Sequence, residues 1–253
     1  MAPIHEFFRV GRLVPLEQEI VTLQVGTSVG VALELMHRRR FDQLPVMKSS
    51  RVLGVFSYRS LAENLPLIRA QDEPLQGHVE DFLEEFDFVR PTTELATVLT
   101  AIEARGAVLV GTEDDLVAVA TASDVSNFLW QASRPFLLLQ DIELATRSLM
   151  ALACREPAEL ARCLRAAHIP EQVTRLEELT LGDLLTVLTN GENYGRTFRR
   201  SFGGQRTLAQ AQLIPVRDIR NKILHFRDDV SVDEINQLVA TRVWLARKVA
   251  VAT

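Results

Sequence analysis

Along the first half of the chain, apolar positions switch between two rhythms, and the switch happens twice. "GTSVGVALELM" (26–36) and "PTTELATVLTA" (91–101) open on threonines and then place apolar residues at three- and four-residue intervals, the spacing of an amphipathic helix. "LPVMKSSRVLGVFSYRSL" (44–61) and "VLVGTEDDLVAVATASDV" (108–125) each read as two short apolar strands around a polar turn, followed by a Ser/Thr-led helix. The connector "NLPLIRAQDEPLQGH" (64–78) carries two prolines and a glycine. The expectation is two β-α-β-β-α units, about 10–66 and 79–132, packed as one body because neither is long enough to bury a core alone.

After "QASRP" (131–135) the strand rhythm stops, and helical spacing runs from Phe136 onward through "FLLLQDIELATRSLMALA", "EPAELARCLRAA", "TLGDLLTVLT" and "SVDEINQLVATRVWLARKVAVA". Ser231 and Glu234 are spaced for a capping box on the last helix, and Pro215 suits the first turn of the helix before it. "NGENYGRTFRRSFGGQR" (190–206) reads as an ordered loop or short helical turns. The fold class expected is therefore α+β, with the repeated units followed by an all-α domain over 136–253.

Composition narrows the setting. With 253 residues, 47% apolar and 24% charged, the chain has the make-up of a folded globular protein, and its net charge of −5 speaks against bulk binding to nucleic acid. Cys154 and Cys163 are the two cysteines, too few for a zinc site without other ligands, so no metal is expected and a reducing cytoplasm is. "MAPIHEFFRVGRL" lacks the apolar core of a signal peptide, and no run approaches the roughly 20 apolar residues that span a bilayer. A soluble cytoplasmic protein, away from membranes, is the expectation.

The order β-α-β-β-α and the strand ends "PV" and "LV" resemble the CBS domain, and two such units over 10–132 resemble the usual CBS pair. That family's ligand motif, a small residue, two apolar residues, Ser/Thr, two spacers and Asp, is met by "AVATASD" at Ala118, Thr121 and Asp124, with Ser123 between them. The first unit's "GVFSYRS" supplies Gly54, Ser57 and Ser60, with Arg59 placed to meet a phosphate. The resemblance implies an adenine nucleotide or related ligand (AMP, ATP, a cyclic dinucleotide or an S-adenosyl compound) bound as a regulator. A hydroxyl at a strand end followed by a helix start offers donors to a phosphate, and a carboxylate one turn on can grip both ribose hydroxyls. Ser60 lacks the two-oxygen grip of Asp124, so the first site is expected to be weaker or empty. The plainer reading of "TASD" is a helix N-cap. The arginines of "HRRRF" (37–41) could likewise touch a phosphate or simply complement a helix end.

Charge turns local in the second half. Arg196, Arg199, Arg200, Arg206, Arg217, Arg220, Lys222 and Arg227 lie between Gly191 and Arg227 against only Glu192 and Asp218. Such a belt, with Tyr194, Phe198 and Phe202 interleaved, suits single-stranded RNA, cations meeting phosphates and rings stacking on bases. The competing reading is a solvated basic surface whose aromatics face the core. Within "RDIRNKILHF" (217–226), Asn221 and His225 are four apart on one helix face, so the amide could orient the imidazole while Arg220 reaches beside them. An oriented imidazole can move protons near pH 7 and a guanidinium can stabilise phosphoryl charge.

"RNKILH" on the helix before the last resembles the R-x4–6-H motif of the HEPN superfamily, which the helical second half also resembles. That likeness implies a metal-independent endoribonuclease of toxin or defence type, with Arg220, Asn221 and His225 as its catalytic set, the ribose 2′-hydroxyl as nucleophile and no cofactor required. It also implies a homodimer, since a second His would supply the acid that complements the base, with RNA as substrate and an antitoxin as a further partner. The leading expectation is a ribonuclease gated by adenine nucleotide. Its alternative is a non-catalytic nucleotide sensor whose helical domain dimerises or docks a partner.

Overall fold

The computed structural model describes residues 8–14, 18–67, 73–225 and 229–252. The chain divides into two compact units, 1–130 and 131–253.

In the first unit the repeat is built twice. β1 (Leu23–Gln24) lies parallel to β2 (Gln43–Lys48), joined through α1 (Val29–Arg39), and β2 pairs antiparallel with β3 (Arg51–Ser57), which leads into α2 (Tyr58–Asn64). The second copy runs β4 (Phe88–Val89), α3 (Leu95–Arg105), β5 (Ala107–Gly111), β6 (Leu116–Thr121) and then α4 (Ala122–Ala153), with the same strand order and pairing. Even the irregularities match: each hairpin shifts register at the same place, between Val46 and Met47 and between Val110 and Gly111. At Gly111 a side chain is excluded, because φ is +123° and a Cβ would stand 2.2 Å from the Asp115 carbonyl oxygen.

The repeats exchange their leading segments. Val10 and Leu13 are buried in the second repeat's core with Val98, Ile102 and Val108, anchored by the Val10 N–H to the Thr93 carbonyl at 2.9 Å. Val79 and Phe82, at the start of the second repeat, are buried in the first repeat's core with Val29, Met36 and Phe56. A third cluster of Val52, Val55, Phe86, Ala107 and Leu109 joins the two sheets. Each repeat thus needs the other to close its apolar face, which is the physical reason for a pair. Residues 68–72 of the connector lie outside the described residues.

The second unit is helical. It holds the C-terminal part of α4, then α5 (Pro157–Ala166), α6 (Leu181–Thr189), α7 (Gly191–Asn193), a π turn (Tyr194–Phe198), α8 (Arg199–Phe202), α9 (Arg206–Leu224) and α10 (Val232–Ala252) around one apolar cluster. Helical turns therefore occupy the 190–206 segment.

Two boundary expectations are corrected. No helix starts at Phe136: α4 runs through Pro135 without a break, and the proline ring is buried. Pro215 is not in a first turn either, since α9 begins nine residues earlier, at Arg206. A proline removes one backbone donor from a helix interior. Close to Pro215, the Gln212 carbonyl also accepts from the buried Thr241 hydroxyl of α10 at 3.1 Å, which ties the two helices together. The last helix keeps its capping box, the Ser231 N–H meeting Glu234 Oε2 at 2.7 Å and the Glu234 N–H meeting Ser231 Oγ at 3.2 Å. Among the described residues no helix is long and apolar enough to cross a membrane, and no cluster of three His, Cys, Asp or Glu could hold a metal ion.

Candidate functional site

A cleft of about 470 Å³ opens in the first unit where β6 passes into α4. Thr121, Ser123 and Asp124 line it together, while Ala118 of the same motif does not. The strand end and the helix start create the geometry. Asp124 Oδ2 accepts from the Thr121 N–H at 2.8 Å and from the Thr121 hydroxyl at 2.6 Å, while the Asp124 N–H meets Thr121 Oγ1 at 3.3 Å. This is a capping box, so the capping reading of "TASD" holds. It uses only one carboxylate oxygen: Asp124 Oδ1 has no hydrogen bond to any described residue and remains available to a ligand hydroxyl.

The opposite wall of the cleft comes from the first repeat: Arg40, Phe41, Asp42, Gln43, Leu44 and Pro45. Arg40 ends α1 in the left-handed conformation, at φ 59°, and is the one arginine of "HRRRF" that reaches the cleft. Gln18 sets the floor by pairing with the β6 backbone as a strand would. Its amide nitrogen donates to the Val119 carbonyl at 3.2 Å and its oxygen accepts the Val119 N–H at 2.9 Å. Neither Arg40 nor Gln18 is announced by the ligand motif; only the left-handed turn after a capped helix hints at the first.

The equivalent cleft of the first repeat, about 350 Å³, is lined by Asp42, Ser57, Arg59, Glu84, Glu103 and Arg105. Its candidate residues are already engaged. The Ser57 hydroxyl donates to Glu84 Oε1, and the Arg59 guanidinium donates to Glu84 Oε2 and to the Ala104 carbonyl, the last at 2.7 Å. Ser60 is buried in a capping box, its hydroxyl meeting the Ser57 N–H at 2.9 Å and the Ser57 carbonyl at 3.0 Å. Where a phosphate was expected, Arg59 here pairs with Glu84, an internal anion.

In the helical unit the α9 C-terminus carries the second set. Arg220 and Asn221 are half-buried, and His225 closes the helix as an exposed cap, its backbone N–H bonded to the Asn221 carbonyl at 3.2 Å. The side chains pair differently from the expectation. Asn221 Oδ1 accepts from Arg220 Nη1 at 3.2 Å, and no side-chain hydrogen bond joins Asn221 to His225. Because α9 ends at Leu224, the residue beyond leaves the helical path, and the amide steadies the guanidinium rather than the imidazole.

The aromatic part of the basic belt is overturned. Tyr194, Phe198 and Phe202 are 2%, 0% and 1% exposed, and Phe202 packs against both Phe198 and Trp244. The Tyr194 hydroxyl donates to the Gly203 carbonyl at 2.7 Å, and burial pushes its pKa above the ordinary tyrosine value. The rings are core: spaced four residues apart, they share one buried face of these helical turns. Arg196, Arg199 and Arg200 project outward without ion pairs to described residues, whereas Arg217 pairs with Asp218 and Lys222 with Glu234. Arg227 lies outside the described residues.

The family model of the CBS domain matches residues 10–67, the span of the first repeat. The N-terminal part carries a CBS domain. The solved structures similar to this CBS-containing chain include a CBS-domain-containing protein from Agrobacterium tumefaciens (19% identity, 44% of this chain and 85% of that one, TM-score 0.40). Another is a CBS-domain-containing protein of unknown function from Bacillus anthracis (15% identity, 48% and 91% covered, TM-score 0.41). A third is the CBS domain of a bacterial CNNM/CorC-family Mg2+ transporter in complex with ATP (20% identity, 49% and 89% covered, TM-score 0.41). No curated protein matches the chain.

Proposed function

We propose that the first unit is a sensor for an adenine nucleotide and that the helical unit is the metal-independent endoribonuclease it regulates. The observation that carries the sensor is the cleft that gathers Thr121, Ser123 and Asp124 at a helix start, with Asp124 Oδ1 unspent. Helix N–H groups and the Arg40 guanidinium suit a phosphate, Asp124 suits a ribose, and Ile20, Val21, Leu44 and Pro45 supply apolar walls for a base. The lining sets Arg40 against Glu19, Asp42 and Asp124, one cation facing three carboxylates. That balance favours a ligand of low negative charge, a nucleoside monophosphate over a triphosphate. Because Glu84 already engages Ser57 and Arg59 in the sister cleft, one ligand is expected per chain. Titration calorimetry with AMP and ATP tests this: AMP is expected to bind more tightly, at one site, and preference for ATP would refute the charge argument.

For the helical unit, the supporting observation is that Arg220, Asn221 and His225 lie together at the solvent-facing end of α9, with the imidazole exposed. Exposed Arg196, Arg199 and Arg200 in the same unit suit RNA phosphates. A homodimer would let two imidazoles share the acid and base roles. Cleavage of single-stranded RNA in EDTA, lost in His225→Ala, is the deciding assay. Equal cutting by both proteins would reject the site. The alternative, a non-catalytic sensor, is favoured by the missing Asn221–His225 hydrogen bond, and nucleotide binding without cleavage would establish it.

A further inference from the structure

The two clefts of the first unit share a wall. Asp42, Gln43 and Gly106 line both the cleft that holds Thr121 and Asp124 and its sister. Gly106 caps α3 in the left-handed conformation, at φ +85°, so the shared wall includes the end of a helix. The last carbonyls of a helix have no partner within it and need one from outside. One comes from the sister cleft. The Arg59 guanidinium forks there, Nη2 meeting Glu84 while Nη1 donates to the Ala104 carbonyl at 2.7 Å. Arg105 Nη1 donates to the Glu85 carbonyl, so residues 84 and 85 hold two consecutive residues at the end of α3. Just beyond, the Gly106 carbonyl accepts the Ala122 N–H at 3.4 Å. Ala122 opens α4 and lines the larger cleft, whereas of the two clefts Arg59 and Glu84 line the sister alone.

We infer, on the basis of the sensor reading proposed above, that Arg59 is a positioning residue for the nucleotide phosphate. From the sister cleft it clamps the end of α3 and thereby sets the amides that open α4. Glu84 is the anchor, since its carboxylate fixes one arm of the fork and keeps the other on Ala104. A charge-assisted hydrogen bond is shorter and stronger than a neutral one. The Gly106–Ala122 contact, at 3.4 Å, is long for an amide hydrogen bond. The turn is therefore placed from the Arg59 side, and the weak contact lies nearest the ligand.

The consequence is selective. A phosphate at a helix start depends on where the first amides point. A nucleoside does not, because Ile20, Val21, Leu44 and Pro45 offer walls for its base and Asp124 faces its ribose. Releasing the clamp should weaken the grip on the phosphate and spare the grip on the nucleoside.

The test compares AMP with adenosine by titration calorimetry in wild type, Arg59→Met and Arg59→Lys. Hydrogen exchange at the Ala122 amide is followed in the ligand-free proteins. Arg59→Met keeps the aliphatic stem and loses both arms of the fork. It is expected to speed exchange at Ala122 and to lower AMP affinity about fivefold or more, the lower end of ordinary coupling between sites, with adenosine affinity unchanged. Arg59→Lys, one ammonium for two acceptors, should fall between, and it carries the comparison if Arg59→Met does not fold. AMP and adenosine weakened alike would make Arg59 a merely structural residue and overturn the inference, as would unchanged AMP affinity or unchanged exchange at Ala122. Wild-type protein that binds neither ligand would overturn the sensor reading and this inference with it.

Discussion

Asp124 holds Thr121 through a single oxygen: Oδ2 accepts both the Thr121 amide, at 2.8 Å, and its hydroxyl, at 2.6 Å. The same side chain therefore serves the helix with one oxygen and faces the cleft with the other. Asp124→Asn separates these roles, because an amide oxygen can still accept from Thr121 but carries no charge toward a ribose. Charge-assisted hydrogen bonds contribute about 1.5–3 kcal/mol, and each 1.4 kcal/mol is about tenfold in affinity. Nucleotide affinity is expected to fall about ten- to a hundredfold, with thermal stability close to wild type. Calorimetry beside a thermal melt distinguishes the two, and unchanged affinity would remove Asp124 from the ligand site.

Glu84 makes the sister cleft self-sufficient, since its two oxygens engage Ser57 and Arg59. Wild-type protein is expected to bind one nucleotide per chain. Glu84→Gln should release the guanidinium and add a second, weaker site, because Ser60 supplies no carboxylate there. A stoichiometry of two in the wild type would show that ligand displaces Glu84 unaided.

Much of this was readable from the sequence, and the failures have physical causes. The repeat, its strand pairs and the Thr121–Asp124 motif were legible because they rest on local periodicity and capping. The exchange of Val10 and Val79 between repeats was not, since it depends on which apolar face lacks a cover. Pro135 and Pro215 misled for a related reason: tertiary packing carries both helices through residues that would end them in isolation. Tyr194, Phe198 and Phe202 showed basic neighbours in sequence, yet their four-residue spacing sets them on one helical face, and that face is turned to the core. Nothing local could reveal Glu84 as the partner of Arg59, 25 residues away.

The pairing of Asn221 with Arg220 changes what its removal should do. If the amide oriented His225, Asn221→Ala would alter the pH profile of cleavage. With Asn221 Oδ1 accepting from Arg220 Nη1 at 3.2 Å, it should instead lower turnover and leave the profile in place. His225→Ala should abolish cleavage and Arg220→Ala should lower it. A displaced pH profile in Asn221→Ala would mean the amide turns to the imidazole when RNA is bound.

Core and surface positions in the basic segment should part cleanly. Phe198 is fully buried, so Phe198→Ala is expected to cost about 3–5 kcal/mol of stability, visible in denaturant titration. Arg199→Glu and Arg200→Glu should leave stability nearly unchanged and weaken RNA binding. Each lost phosphate contact should flatten the salt dependence of log K by about 0.7 for a single strand. RNA affinity indifferent to both arginines would place the binding surface elsewhere.

Glu234 joins the start of α10 to the end of α9, where Arg220 and Asn221 stand. Its carboxylate accepts the Ser231 N–H at 2.7 Å and the Lys222 ammonium at 2.9 Å. These bonds, the backbone one foremost, hold its pKa below the ordinary carboxylate value. A carboxyl depressed on folding binds its proton more readily in the unfolded chain. Its contribution is therefore complete above the unfolded glutamate's pKa of about 4.3 and is lost as pH falls through the lower folded value. Glu234→Gln keeps an amide oxygen for the Ser231 N–H but loses the charge. At neutral pH it should therefore cost less than a lost cap, which is worth about 0.5–2 kcal/mol, and it should flatten the acid limb of the stability curve. Lys222→Ala should reproduce only part of this, because the backbone hydrogen bond survives it. Chemical denaturation across the acid range measures both, and an acid limb as steep in Glu234→Gln as in the wild type would assign that limb to other carboxylates.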